Sequence, residues 1–330
     1  MGVIIVTFQS DGVIGACVES LRSCDHADLR VIICDNNSTD DTLGVLRRWA
    51  GRHGIDLVET QAGDTPDPAP FTFVRTGGNL GFAGGVNAGL ELLLDDPQVD
   101  LFWILNPDGE ALPDTASAFA RHAETVGPFS LMGGRIRYHE APQRLQSDGG
   151  VVSSWSGICR NLNAGLLPDQ ATMPNANTLD FISGASMVAS RAFVESAGLL
   201  SKDYFLYYEE VDWATRRGDL PLVLCPDAIV LHHGGTSIGT GAINRRASPF
   251  ANYFNYRNRM RFMRRFHPLR LPAAWVLSML RVIKLFGVGA RDEAVAAARG
   301  CCGLAPPAAV RDRIAPQDRA RAFTIRENGR

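Results

Sequence analysis

The 330 residues include only two lysines, Lys202 and Lys284. A GxxxxGK[ST] phosphate loop is therefore absent, and Schiff-base chemistry has few candidates. The seven cysteines (Cys17, Cys24, Cys34, Cys159, Cys225, Cys301 and Cys302) make no CxxC pair and no even framework. That argues against thiolate zinc sites and for reduced thiols in a cytoplasmic setting. No GxGxxG opens the first helical stretch, so the dinucleotide fingerprint is missing. The longest apolar stretch near the carboxy terminus, Leu271 to Leu280, stops at Arg281 and is too short to span a bilayer. The amino terminus enters Val3-Ile-Ile-Val6 without a basic region or cleavage site, and Gly2 lacks the myristoylation spacing. Neither a signal peptide nor a lipid anchor is expected.

With 45% hydrophobic and 21% charged residues, the composition is that of a globular chain. Its charge is unevenly spread. Residues 1–240 hold 15 basic and 30 acidic side chains, and residues 241–330 hold 18 and 5, which is −15 against +13. The carboxy-terminal part is expected to face something anionic, either a membrane surface or the acidic body of its own protein. Nucleic acid is not an expected partner, because no binding motif accompanies the charge.

The chain is organised around Leu101-Phe-Trp-Ile-Leu-Asn-Pro-Asp108. Five apolar residues read as a buried strand of a parallel sheet, and open α/β sheets bind ligands beyond the carboxyl edge of such strands. Pro107 ends the ladder and presents Asn106 and Asp108 from a stiff turn. Those residues suit either a half-site for a hard divalent cation or an Asx turn. Upstream, Val3 to Phe8 and Leu29 to Cys34 read as strands, and helices are expected at Val13 to Leu21 and from Thr42 to Trp49. Asp35, at the end of the second strand, either caps the next helix or accepts the imide N–H of a pyrimidine. The run Gly77 to Gly89, with Asn79 and Gly81, ahead of a helix from Ala83 to Leu94, either lets backbone N–H groups approach a phosphate or serves tight packing. A further helix is expected from Pro113 to Ala123.

Further strands are expected at Ser130–Tyr138, Phe181–Val188, Pro221–Cys225 and Ala228–Leu231. Residues 147–174 read as loop with short hairpins. The second dense cluster is Phe205-Leu-Tyr-Tyr-Glu-Glu-Val-Asp-Trp213. On a helix Glu209, Asp212 and Trp213 share a face and Glu210 projects about 100° from Glu209. The acids are either a solvated first turn stabilised by the helix dipole, with an Asp212–Arg216 pair behind it, or functional carboxyls, since the aromatic setting makes a carboxylate a better base. The last strand runs into His232-His-Gly-Gly-Thr-Ser237, which offers a third metal ligand beside Asn106 and Asp108.

Seven motifs in order carry a resemblance over residues 3–265. They are Val6-Thr-Phe8, Asp35-Asn-Asn-Ser-Thr-Asp40, Asn79-Leu-Gly-Phe-Ala-Gly-Gly-Val-Asn87, Leu105-Asn-Pro-Asp108, Phe181-Ile-Ser-Gly-Ala185, Tyr208-Glu-Glu-Val-Asp-Trp213 and His232-His-Gly-Gly-Thr-Ser237. Together they resemble the family 2 glycosyltransferases of GT-A fold, in particular the bacterial rhamnosyltransferase-like branch. The resemblance implies an α/β, Rossmann-like, mostly parallel mixed sheet flanked by helices, with a helical carboxy-terminal extension. Its implied parts are a nucleotide-sugar half (1–127), an acceptor and catalytic half (128–240) and a basic extension (241–330). Donor contacts are implied for Thr7, Phe8, Asp35, Asn37, Asn79, Gly81, Asn87, Asn106 and Asp108, and acceptor-side contacts for Gly184, Ala185 and Trp213. Asp108, His232 and Asn106 would hold Mg2+ or Mn2+. Glu210 stands at the position of the base, where the family has Asp, with Glu209 and Asp212 as neighbours.

The implied activity is metal-dependent, inverting transfer of a sugar to a hydroxyl of a growing bacterial surface glycan, free or lipid-linked. L-Rhamnose from dTDP-rhamnose is the first expectation for the donor. A UDP-hexose transferase and a silent nucleotide-sugar or glycan-binding module are the alternatives. Peripheral attachment to the cytoplasmic membrane is expected through the aromatic and arginine run Tyr253 to Phe266, which otherwise laces the tail to the acidic domain. Residues beyond Arg311 are expected to fray.

Overall fold

A computed structural model describes residues 1–26, 28–234 and 246–324. In chain order the first half comprises β1 (Gly2–Thr7), α1 (Ile14–Arg22), β2 (Arg30–Asp35), α2 (Thr42–His53), β3 (Leu57–Gln61), β4 (Phe71–Arg75), α3 (Gly81–Leu94), β5 (Leu101–Leu105), β6 (Gly109–Ala111) and α4 (Thr115–Thr125). Then follow β7 (Leu131–Tyr138), β8 (Ala141–Ser147), β9 (Gly150–Val152), β10 (Cys159–Asn161), β11 (Ser186–Ser190), α5 (Arg191–Ala197), α6 (Glu209–Thr215) and β12 (Val223–His232). The tail is helical, with α7 (Pro249–Phe266), α8 (Leu271–Gly287), α9 (Arg291–Cys301) and the short α10 (Ala308–Arg311) and α11 (Arg319–Phe323).

One sheet runs β3-β4-β2-β1-β5-β11-β7-β12-β6, with β8 beside β7. The strands from β3 to β5 are parallel, β11 is antiparallel to both of its neighbours, and β12 is parallel to β7. Strand alternation explains why the central runs are apolar throughout. Ile4, Ile32, Phe102 and Ile104 enter one core with α3, whereas Val3, Ile5, Val31, Ile33, Trp103 and Leu105 enter the other with α1, α2 and α4. Because both faces are covered, the open carboxyl edge of β1, β2 and β5 is where polar side chains gather.

Several sequence expectations need correction. Pro221–Cys225 and Ala228–Leu231 are not two strands but one, β12, with an irregularity between Leu224 and Ile229 that absorbs Pro226. Of Phe181–Val188 only the part from Ser186 joins the sheet, while Phe181 makes a single bridge to Gly150. β5 is parallel to its neighbour on one side only, since β11 returns against it. The chain from Asp312 to Thr324 is anchored to the protein: Ile314, Asp318 and Ala322 are buried, and Arg313 lies 4.7 Å from the Phe250 ring centroid.

The run Tyr253 to Phe266 is turned into the protein. Tyr253, Phe254, Arg257 and Asn258 are buried in α7, and Arg265 reaches Asp212 at 2.7 Å. Of the two readings of this segment, its contacts match the one that ties the tail to the acidic domain. At Gly300 in α9 a Cβ would stand 2.3 Å from the Tyr253 carbonyl oxygen, so α7 and α9 approach closely only because that residue is glycine. Among the described residues no helix is long and apolar enough to cross a membrane.

The firmest tie between α7 and the rest of the molecule is Asn258. Its Nδ2 donates to the carbonyl oxygens of Tyr204, Leu206 and Tyr207 at 2.7, 2.6 and 3.1 Å. Arg257 Nη2 adds a bond to the Tyr204 carbonyl at 2.9 Å. Asn258→Ala leaves these buried carbonyls short of donors and is expected to cost about 2–4 kcal/mol. Urea denaturation at neutral pH measures that loss.

Candidate active site

The carboxyl ends of β1, β2 and β5 open into a cleft lined by Phe8, Ser10, Asn36, Asn79, Gly81 and the turn from Asn106 to Asp108, among others. Thr7 Oγ1 donates to Asp35 Oδ1 at 2.8 Å, and Ser38 supplies its N–H to Oδ2 at 2.9 Å and its hydroxyl to Oδ1 at 2.6 Å. Asp35 is thus an anchored acceptor at the strand end, with lone pairs to spare. Asn37 points elsewhere: it is exposed and takes a φ of +64°, while its neighbour Asn36 is buried and lines the cleft. Asn36 Oδ1 accepts from the Leu80 N–H, and its Nδ2 donates to the Gly81 carbonyl, which binds the second loop to the glycine-rich one. Gly81 itself has φ +73°, and a Cβ there would meet the Phe205 carbonyl oxygen at 2.3 Å.

The opposite wall comes from far along the chain. Phe205, Leu206, Phe250, Arg313 and Ile314 line the same cleft. None of these was singled out in the sequence as a donor contact, and no local pattern signals them, because their proximity depends on α7 and the tail folding back. Arg313 brings a guanidinium into a cleft otherwise short of positive charge.

At the turn after β5, three side chains converge. His232 Nε2 lies 3.1 Å from Asp108 Oδ1 and 3.1 Å from Asn106 Nδ2. The Nδ1 of the same ring meets Gln146 Oε1 at 2.7 Å, which selects the tautomer with its proton on Nδ1. Nε2 is then an acceptor, available to the Asn106 Nδ2–H or to a cation shared with Asp108. Two ligands bound side by side at bond lengths near 2.1 Å lie about 3 Å apart, so the geometry fits a divalent ion. Gly235 to Ser237 of the histidine motif lie outside the described residues. A second group with metal-binding chemistry, Glu110, His139 and His233, has ligand atoms within 4.8 Å of one another. Glu110 is paired with Leu231, and Gly109 with His232, so Glu110 occupies the opposite sheet face from His232.

The acidic cluster is delivered by unusual backbone. Phe205, Tyr207 and Tyr208 have φ of +64°, +69° and +75°, a region that bulky residues occupy only when their surroundings impose it. Directly afterwards α6 begins with Glu209 and Glu210. Burial raises the Glu210 carboxyl to about 7 against the pull of backbone N–H bonds. Glu209 is held well above the ordinary carboxylate range by burial and then by the Glu210 charge, and its Oε2 is buried without a hydrogen-bond partner. Gly184 adjoins Glu210: a Cβ there would lie 3.9 Å from Glu210 Cβ and 3.5 Å from Phe82 Cε1. The next residue, Ala185, accepts the Asn106 N–H at 3.0 Å, so two residues link the glutamate to the Asn-Pro-Asp turn.

Three other sequence candidates have structural partners instead. Asn87 exchanges two hydrogen bonds with the Leu200 backbone. Asp212 is fully buried and bonded to Tyr204, Arg216 and Arg265. Trp213 is also fully buried, packs on Phe193 and donates to the Gly198 carbonyl, so it does not face an acceptor. Helix periodicity put Glu209, Asp212 and Trp213 on one face correctly, but that face is the core.

A mostly parallel mixed sheet flanked by helices, with polar groups gathered at its carboxyl edge, is the GT-A fold of glycosyltransferases. Residues 2–149 match the family described as glycosyl transferase family 2, and this match together with the fold and the relatives supports a glycosyltransferase. It is 25% identical over 266 residues to the low-salt glycan biosynthesis hexosyltransferase Agl10 of Haloferax volcanii, covering 78% of this chain and 74% of that one. It is 26% identical over 257 residues to the N-acetylglucosaminyl-diphospho-decaprenol L-rhamnosyltransferase of Mycobacterium tuberculosis, covering 72% and 77%. Among solved structures, the mannosyltransferase PcManGT of Pyrobaculum calidifontis, in complex with GDP-Man and Mn2+, shares the fold. The TM-score is 0.51 at 16% identity, over 91% of this chain and 86% of that one. GalNAc-T7 with UDP, GalNAc and Mn2+ superposes with a TM-score of 0.53 at 12% identity, over 79% and 47%.

The Glu209 carboxyl makes a prediction about stability. Because its folded pKa is raised, the native state keeps a proton that the unfolded chain releases above about pH 4.3, and stability declines as pH rises from there towards the folded value. Glu209→Gln removes that decline. Its melting temperature should exceed that of the unaltered protein by more at pH 8 than at pH 5, by an amount equivalent to about 1 kcal/mol or more.

Proposed function

We propose that the enzyme moves a sugar from a nucleoside diphosphate to a hydroxyl of a growing bacterial surface glycan, free or lipid-linked, with inversion at the anomeric carbon. L-Rhamnose from dTDP-rhamnose is the first choice, in keeping with the name of the mycobacterial relative. The haloarchaeal relative, named a hexosyltransferase, supports a UDP-hexose donor as the second. The observation that carries the reading is Glu210: a carboxyl whose pKa is raised to about 7, beside Gly184 and two residues from the turn that holds Asp108.

In this reading residues 1–127 hold the donor, residues 128–240 supply acceptor contacts and the base, and residues 241–330 brace both. Asp35 accepts the imide N–H of the base, Thr7 orients that carboxylate, and Phe8 and Asn79 border the nucleotide. Arg313 faces the diphosphate. Asp108 and His232 hold a Mg2+ or Mn2+ ion, with Asn106 orienting a ligand. When bound, the ion supplies electrophilic help to the departing diphosphate. Glu210 removes the acceptor's proton as its oxygen attacks, and one carboxylate opposite the leaving group gives a single displacement. Glu209, kept neutral by burial, lets Glu210 bear the only charge of the pair.

The test is incubation with dTDP-, UDP- and GDP-sugars plus Mn2+, with nucleotide release as the readout. One donor should stand out, and release should rise with pH through an apparent pKa of about 7, because the base acts deprotonated. Glu210→Gln should lower transfer by about 10³-fold or more while leaving donor affinity within a few-fold. Near-normal turnover in that variant would remove the base, and no release from any donor would favour a silent binding module.

Asp108→Ala and His232→Ala should each weaken Mn2+ binding by about tenfold or more. Electron paramagnetic resonance titration of free Mn2+ measures this without turnover.

A further inference from the structure

Helix α8 packs inward through Ala274, Ser278 and Val282, and its other side is unpartnered among the described residues. Val276, Leu280 and Ile283 form the outward stripe at 51%, 57% and 62% exposure, with Trp275 and Phe286 on its flank. Single exposed apolar residues are ordinary, but a contiguous row along one helix face marks an interaction surface. What surrounds the row narrows the partner. Residues 249–291 contain eight arginines and one lysine and no Asp or Glu, and Arg281 and Lys284 stand on α8 itself, both exposed.

A groove of about 410 Å³ adjoins the helix, lined by Met260, Arg261, Arg264, Leu271 and Trp275 among others. Arg264 is exposed at the groove, while Arg261 is part-buried and bonded to the Asp203 carbonyl. An exposed guanidinium is suited to an anionic oxygen. A second copy of this chain would bring the same positive charge against it, so self-association across this face is disfavoured.

We propose that the outer face of α8 and the adjoining arginine groove dock on an anionic phospholipid leaflet, the apolar row entering the acyl boundary and the groove receiving a phosphate. This differs from a lipid role for the aromatic residues of Tyr253 to Phe266, since Tyr253, Phe254, Tyr256 and Phe262 are buried in the protein, and from that run the groove draws on Met260, Arg261 and Arg264. It is independent of the donor and acceptor assignments above. Helix, row and charge together match an interfacial helix that lies along a membrane rather than across it.

Co-sedimentation of the full chain with vesicles of phosphatidylcholine, alone or mixed with phosphatidylglycerol, tests the proposal at low and high salt. The protein should pellet with mixed vesicles at low salt, and binding should fall with salt and with neutral lipid. The double variants Leu280→Glu/Ile283→Glu and Arg264→Glu/Lys284→Glu should each lower binding about tenfold or more. Circular dichroism, melting temperature and nucleotide release should be unchanged in both, since these side chains lie outside the cleft. The proposal is overturned by any of four results: no binding to mixed vesicles at low salt, equal binding to neutral vesicles, unaltered binding by either variant, or a solution dimer that Leu280→Glu/Ile283→Glu disperses.

Discussion

The structure depends on a short stretch of backbone held against its own preference. Phe205, Tyr207 and Tyr208 are left-handed, and such residues cost about 1–3 kcal/mol each unless their surroundings over-determine them. Asn258 and Arg257 from α7 do so by donating to the carbonyls of Tyr204, Leu206 and Tyr207, and the rings of Phe205 and Phe254 stack at 5.3 Å. What this achieves is placement. The Phe205 carbonyl accepts from Phe82 at the start of α3, and the chain emerges at Glu209 and Glu210 beside Gly184. The stretch that delivers Glu209 and Glu210 is therefore supported by a helix that follows it by about fifty residues.

The same arrangement explains the charge asymmetry of the chain. Arg265 meets Asp212, Arg261 bonds the Asp203 carbonyl, and Arg321 reaches the Asn79 carbonyl at the edge of the cleft. Part of the positive tail thus answers the negative body. The remainder, around α8, has no such answer within the described residues, and there the apolar row is exposed.

The three acids of α6 are surrounded by different partners. Asp212 is compensated by two arginines and a tyrosine hydroxyl, so it is a structural ion pair. Glu209 has a buried oxygen without a partner, which favours its protonated form. Glu210 lies between these, half-buried and bonded to backbone N–H groups, and titrates where a general base is useful. Four consecutive positions thereby hold three different electrostatic states, set by what surrounds each carboxyl rather than by residue type.

Much of this was legible in the chain. Continuous apolar runs ending in Thr7, Asp35 and Asn106 implied a doubly covered parallel sheet with a polar carboxyl edge, since period and polarity are local properties. The Asp108 and His232 pairing was legible only through ordered motifs, because 124 positions separate the two. Local pattern misjudged Asn87 and Trp213, as periodicity reports which residues share a face and not which face is wet. It merged or split strands where Pro226 and Gly184 interrupt them, and it read the segment after Arg311 as loose because that segment's burial partners, Phe250 and Phe254, lie in α7. Sequence alone determined the layers, the edge and the residue types of the chemistry. Only the tertiary structure decided that the tail closes the cleft with Arg313 and Ile314, that Asn36 rather than Asn37 faces it, and that α8 rather than α7 is left uncovered. Those outcomes depend on long-range packing, in which each helix face is claimed by whichever neighbour the fold brings to it.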